Sequence, residues 1–144
     1  MREIKRQALV PYSAEAMFDL VNDVDSYPEF LPWCRAARVE EEGEGFRVAS
    51  IDIAKGGVSR SFTTRNMLDR PRSLRLELVN GPFRHLEGEW RFDALSEAAC
   101  KVELHLRFEF ASSIMNLVFG PVFNQIGETM LDAFVRRAKA LHDS

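Results

Sequence analysis

Residues 100–142 read CKVELHLRFEFASSIMNLVFGPVFNQIGETMLDAFVRRAKALH, and their apolar positions change period midway. Up to Phe110 the period is two. Cys100, Val102, Leu104, Leu106, Phe108 and Phe110 alternate with Lys101, Glu103, His105, Arg107 and Glu109, as in a strand with one face on a core and the other in water. After Ser112-Ser113 the period lengthens. Phe119, Phe123, Ile126, Met130, Phe134 and Leu141 recur at helical spacing, with Gln125, Glu128, Asp132, Arg136 and Lys139 opposite them. Pro121 predicts an interruption, with a short lead-in over 113–119 and a main helix from 121 onward, about 30 Å long at about 1.5 Å per residue. Arg136, Arg137, Lys139 and His142 then fall in the last turns, the favourable end for positive charge.

Upstream of this segment, from Arg35, short β-type runs are separated by strong breakers: Gly43 to Gly45, Gly56-Gly57, Asp69-Arg70-Pro71, Asn80-Gly81-Pro82 and Ser96 to Ala99. About six strands result, and connections this short imply antiparallel neighbours. Further upstream, residues 2–10 alternate with Ile4, Ala8 and Val10 on one face, which Arg6 breaks. Ser13 is placed to cap a helix from Ala14 whose apolar stripe is Met17, Phe18 and Val21. Between Asp23 and Trp33, Pro28 and Pro32 permit at most a short helical turn. The order is strand, helix, apolar loop, antiparallel sheet, long helix. It predicts an α+β fold in which a curved antiparallel sheet of about six to seven strands wraps around the long C-terminal helix, with short helices after the first strand.

The chain has 144 residues, 46% hydrophobic and 28% charged, and is read as one domain over 1–144. No apolar run approaches the ~20 residues of a bilayer-spanning helix, and the N-terminus lacks a secretory signal, so a cytoplasmic location is expected. A formal net charge of -3 lacks the positive excess of a general nucleic-acid binder, while leaving room for a local basic face. Cys34 and Cys100 are too isolated for a disulfide framework or zinc site and read as buried hydrophobes.

Catalytic spacing is scarce. His85, Glu87 and Glu89 share a strand face, but the outward one, because Leu86, Trp90 and Phe92 take the other. Cys34 lacks an identifiable histidine base, and Gly56-Gly57 fits a hairpin turn rather than a phosphate loop. No catalytic residue, metal site or cofactor is assigned. The loop holding Tyr27, Phe30, Leu31 and Trp33 is more informative, since these side chains would form an apolar patch if exposed. Either it plugs one end of the core, which the burial preference of aromatics favours, or it is a lid over an apolar ligand. Arg60, Thr64 and Asn66 share the phase of Val58, Phe62 and Leu68, and Gly88 and Gly127 remove volume from inward faces, as a pocket with a few polar anchors would require.

Several runs of the chain resemble a known family. They are Val10-Pro11-Tyr12-Ser13-Ala14-Glu15, Leu20-Val21-Asn22-Asp23-Val24, Tyr27-Pro28-Glu29-Phe30-Leu31-Pro32, Phe62-Thr63-Thr64-Arg65-Asn66, Gly81-Pro82-Phe83, Trp90-Arg91-Phe92 and Glu109-Phe110. In order and over essentially the whole chain they resemble the bacterial RatA family, related to mitochondrial coenzyme Q-binding proteins with a START-like domain. The Tyr-Pro-x-Phe-Leu-Pro run is the most specific piece. The resemblance implies a helix-grip fold with a hydrophobic tunnel between sheet and terminal helix, and two functions. One is non-enzymatic binding of ubiquinone or a similar isoprenoid lipid in support of respiration. The other is association with the large ribosomal subunit, as a toxin that blocks joining of the two subunits.

The lipid reading ranks first and assigns Tyr27, Phe30, Leu31, Pro32 and Trp33 to the lid. Phe62, Leu86, Trp90, Phe119, Phe123, Ile126 and Met130 would line the tunnel, and Arg60, Asn66 or Tyr27 would meet a polar head. Transient membrane contact stays open on this reading. The ribosomal alternative needs exposed arginines against phosphate, and Arg65, Arg70, Arg72 and Arg75 cluster around one turn and strand. A cyclase-like enzyme ranks third, because no acid/base pair is assigned inward.

Overall fold

The computed structural model describes residues 1–142. Its strands are β1 (Arg2–Val10), β2 (Cys34–Gly43), β3 (Phe46–Lys55), β4 (Val58–Asp69), β5 (Ser73–Asn80), β6 (Phe83–Ser96) and β7 (Ala99–Phe110). Two α-helices, α1 (Ala14–Asn22) and α2 (Ser113–His142), and a 3-10 helix over Val24–Glu29 complete the chain. All strands join one antiparallel sheet in the order β1-β7-β6-β5-β4-β3-β2. The sheet curves around α2, as the order of the sequence elements implies. No helix among the described residues is long and apolar enough to cross a membrane.

Alternation sets the two faces. Val102, Leu104, Leu106 and Phe108 of β7 are buried in the core, and Leu104 stands beside Trp90 of β6, which stands beside Leu74 of β5. On the outer face Arg107 meets Glu87 at 3.0 Å and His105 meets Glu3 at 3.0 Å, one link in a lattice of mixed charge. The backbone N–H of Ala16 donates to the Ser13 hydroxyl at 3.0 Å, the expected cap that starts α1. Arg6, the break in the inward face of β1, reaches past the core to Glu128 of α2 at 3.4 Å.

Helix α2 departs from expectation in being continuous through Pro121. Ser112 starts it, its hydroxyl accepting from the Met115 N–H and its carbonyl from the Asn116 N–H, both at 3.0 Å. The carbonyl that proline deprives of a donor belongs to Leu117, 78% exposed, so water can satisfy it and the helix need not break. The buried stripe runs through Phe119, Phe123, Ile126, Leu131, Phe134 and Ala138. Leu141 keeps that phase but lies half exposed, and Met130 is half-buried at the margin. Gly127 lets α2 approach the sheet closely: a Cβ there would sit 2.5 Å from Ile4 Cδ1.

Candidate ligand cavity and outer arginines

Between α2 and the sheet lies an apolar cavity of about 60 Å³. Tyr27 and Trp33 close it from the loop, Phe62 and Asn66 face it from β4, Leu86 and Trp90 from β6, and Phe123, Ile126 and Met130 from α2. Val24, Ala49, Ile51, Ile53, Thr64, Leu74, Leu76 and Leu106 also line it, which the sequence reading did not assign to a site. The alternation of Ala49, Ile51 and Ile53 in β3 could have indicated that strand's share. Thr64 already carried the inward phase.

Five predicted residues do not line the cavity. Phe119 is fully buried, but within a ring cluster with Phe123 at 5.7 Å, Phe110 at 5.9 Å and Phe83 at 6.1 Å. It fills one end of the grip instead of bordering the space. Leu31 is buried in the core, Pro32 is exposed, and Phe30 packs outside Tyr27 against Phe134 at 5.2 Å, beneath the Arg137 guanidinium. Arg60 is exposed, and its guanidinium donates to the neighbouring Ser59 carbonyl at 2.7 Å. The pairing of Thr63 with Asn80 ends β5, so the first residues of β4 run beyond it, and Arg60 keeps the inward phase without a β5 neighbour at its side.

The polar spot in the wall is Thr64 with Asn66, each 4% exposed. The Thr64 hydroxyl donates to Asn66 Oδ1 at 2.8 Å, which leaves the Asn66 amide N–H groups to offer a ligand carbonyl. Tyr27 cannot serve as a head contact in this state, because its hydroxyl donates to the Val21 carbonyl. Burial holds that phenol protonated, far above its ordinary range. Burial, with Asp52 adding to it, also pushes the Cys34 thiol up to about 11, so a thiolate nucleophile is disfavoured near neutrality. Among the described residues no cluster of His, Cys, Asp and Glu could hold a metal ion.

The four candidate arginines occupy the outer surface around β4 and β5. The Arg65 guanidinium sits 4.1 Å from the centre of the Phe46 ring, and Arg75 is exposed one strand away. Their cross-strand neighbours are Glu77 and Glu89. Arg70 grips Asp19 of α1 through two hydrogen bonds of 2.8 and 2.9 Å, and this lowers the Asp19 pKa. Arg72 pairs with Asp69 at 3.5 Å. The cluster therefore exists, but carboxylates are interleaved with it.

Residues 10–135 match the polyketide cyclase/dehydrase and lipid transport family. The ribosome association toxin RatA of Vibrio cholerae is 51% identical over 142 residues, 99% of each chain. The mitochondrial coenzyme Q-binding protein coq10 of Schizosaccharomyces pombe is 27% identical over 141 residues, 93% of this chain and 85% of that protein. A START superfamily protein from Mycobacterium smegmatis superposes with a TM-score of 0.77 at 18% identity, covering 96% of this chain and 98% of the other. On this match the chain belongs to the polyketide cyclase/dehydrase and lipid transport family, within its RatA group.

Proposed function

We propose that this chain associates with the large ribosomal subunit through its outer surface and blocks joining of the two subunits, acting in the cytoplasm and without catalysis of its own. The observation that carries this reading is the size of the interior, about 60 Å³, against roughly 300–1,000 Å³ for sites that take small organic ligands. A few water molecules fit; a quinone ring with an isoprenoid tail does not. A function exercised in this closed shape is exercised at the surface. The name borne by relatives about half identical over nearly the whole chain supports the same reading.

Docking on RNA would use Arg65, Arg70, Arg72 and Arg75, all exposed. Co-sedimentation with purified large subunits should weaken steeply as salt rises. Arg70→Gln with Arg72→Gln should flatten the slope of log affinity on log salt by about two, roughly one per lost phosphate contact. Binding that survives neutralisation of all four arginines with its salt dependence intact would refute this assignment.

The apolar wall with its Thr64–Asn66 spot supports a second reading, carriage of a ubiquinone-like lipid. It requires the lid and α2 to move apart. Organic extracts of the purified protein should then contain a quinone, and extracts free of quinone from quinone-producing cells would remove it.

A further inference from the structure

The water-facing side of α2 is not uniformly polar. Ile114 is 74% exposed, Leu117 78% and Val118 43%, and the Pro121 ring is exposed beside them. Spaced i, i+3, i+4 and i+7, these four form one stripe on the side of the helix away from Phe119, Phe123 and Ile126. Farther along the same stripe stand Gln125, Glu128, Asp132, Arg136 and Lys139. The outer face is thus apolar for its first two turns and polar thereafter. Contiguous aliphatic side chains so far out in water mark a contact surface.

Charge is sorted at the same end. The chain carries a net charge of -3, yet residues 53–63, 78–86 and 110–127 contain no Asp or Glu. These segments meet there. The Ala111 N–H donates to the Pro82 carbonyl at 3.1 Å, and Phe62 packs on Phe83 at 5.9 Å and Phe123 at 6.3 Å. Lys55 and Arg60 stand on the β3–β4 hairpin, while Arg2 and Arg84 border a surface depression with Ser112, Ser113 and Asn116 at the start of α2. Glu109 also borders that depression and is paired with Arg84 at 3.3 Å.

We propose that this end of the molecule docks on an anionic lipid surface. Ile114, Leu117, Val118 and Pro121 enter the boundary between headgroups and acyl chains, and Arg2, Lys55, Arg60 and Arg84 lie among the lipid phosphates. Aliphatic side chains gain little against a nucleic-acid backbone. A second copy of the chain docked by the same face would set these cations against themselves.

Flotation with vesicles of phosphatidylglycerol and phosphatidylcholine, compared with phosphatidylcholine alone, tests the proposal. The intact chain should bind the anionic vesicles at least tenfold more tightly. Ile114→Ser with Leu117→Ser should lower that binding at least tenfold, with circular dichroism and melting temperature unchanged because both positions are exposed. Lys55→Gln with Arg60→Gln should act mainly at low salt. The proposal is overturned if the intact chain does not float, or if the serine variant floats equally well. It is also overturned if the serine substitutions abolish ribosome co-sedimentation, or dissolve a dimer seen by ultracentrifugation, while the intact chain ignores vesicles.

Discussion

Ala49→Val measures how much usable space the grip retains. Ala49, 2% exposed, lies on β3 between Val39 of β2 and Thr64 of β4, and it lines the cavity. Valine suits the strand and adds two carbons next to a space of about 60 Å³. At ~24 cal/mol per Å³, that space costs the fold about 1.4 kcal/mol. Counted the other way, two buried carbons contribute about 0.8 kcal/mol each, slightly more than the first route before rotamer restriction is subtracted. Both routes predict a gain of about 1–1.5 kcal/mol in urea unfolding at unchanged m, or about 4 °C in melting temperature. Destabilisation of ~1–3 kcal/mol, the mark of overpacking, would show that the space cannot accept a side chain and would refute the reasoning. The same variant separates the two functions. Surface docking on large subunits should be untouched, whereas any co-purifying quinone should be lost.

Two further predictions concern burial. Cys34 and Cys100 titrate at about 11 in the folded chain and near the ordinary 9.0 once unfolded, chiefly because burial disfavours the thiolate. The unfolded chain therefore releases protons first, so their contribution is whole below about pH 9 and falls away as pH climbs to about 11. Urea midpoints across that range should decline less in Cys34→Ala with Cys100→Ala, and an identical decline would discard the assignment. Phe119→Ala should cost about 3–5 kcal/mol, because the ring cluster cannot close over so large a gap; a loss under ~2 kcal/mol would show that it can.

The fold was legible where one face is continuously buried and the other continuously wet. Eleven alternating residues of β7 and the buried stripe of α2 leave little freedom once the hairpin breakers set the strand count. Pro121 does not break the helix, because the carbonyl it leaves without a donor belongs to the exposed Leu117. A break at Pro121 would set 113–119 apart from the helix, whereas in the continuous α2 Ile114, Leu117 and Val118 fall on one outward stripe. The candidate site was only partly legible. Alternation gave Arg60 an inward phase, but phase does not reveal that β4 outruns β5. Helical spacing put Phe119 and Phe123 on one face, yet only one of them borders the cavity. Free volume is the small difference between sheet curvature and the summed size of the side chains filling it, and no local pattern encodes that difference.

Magnitudes separate the two functional readings. Widening the interior means lifting Tyr27 and Trp33, 9% and 5% exposed, out of the core. A buried aromatic contributes about 1.5–3 kcal/mol by apolar burial alone. The Tyr27–Val21 hydrogen bond and the 2.9 Å bond from the Ala54 N–H to the Trp33 carbonyl resist the same motion. Moving Arg70 from Asp19 to a phosphate, or Arg72 from Asp69, instead exchanges one exposed ion pair for another, and such pairs are worth about 0–1 kcal/mol each. Engagement at the surface therefore starts from the shape the chain already holds. A lipid would have to supply several kcal/mol before its own burial counted in its favour, which ubiquinone's long apolar tail is chemically able to do and a small head group alone is not.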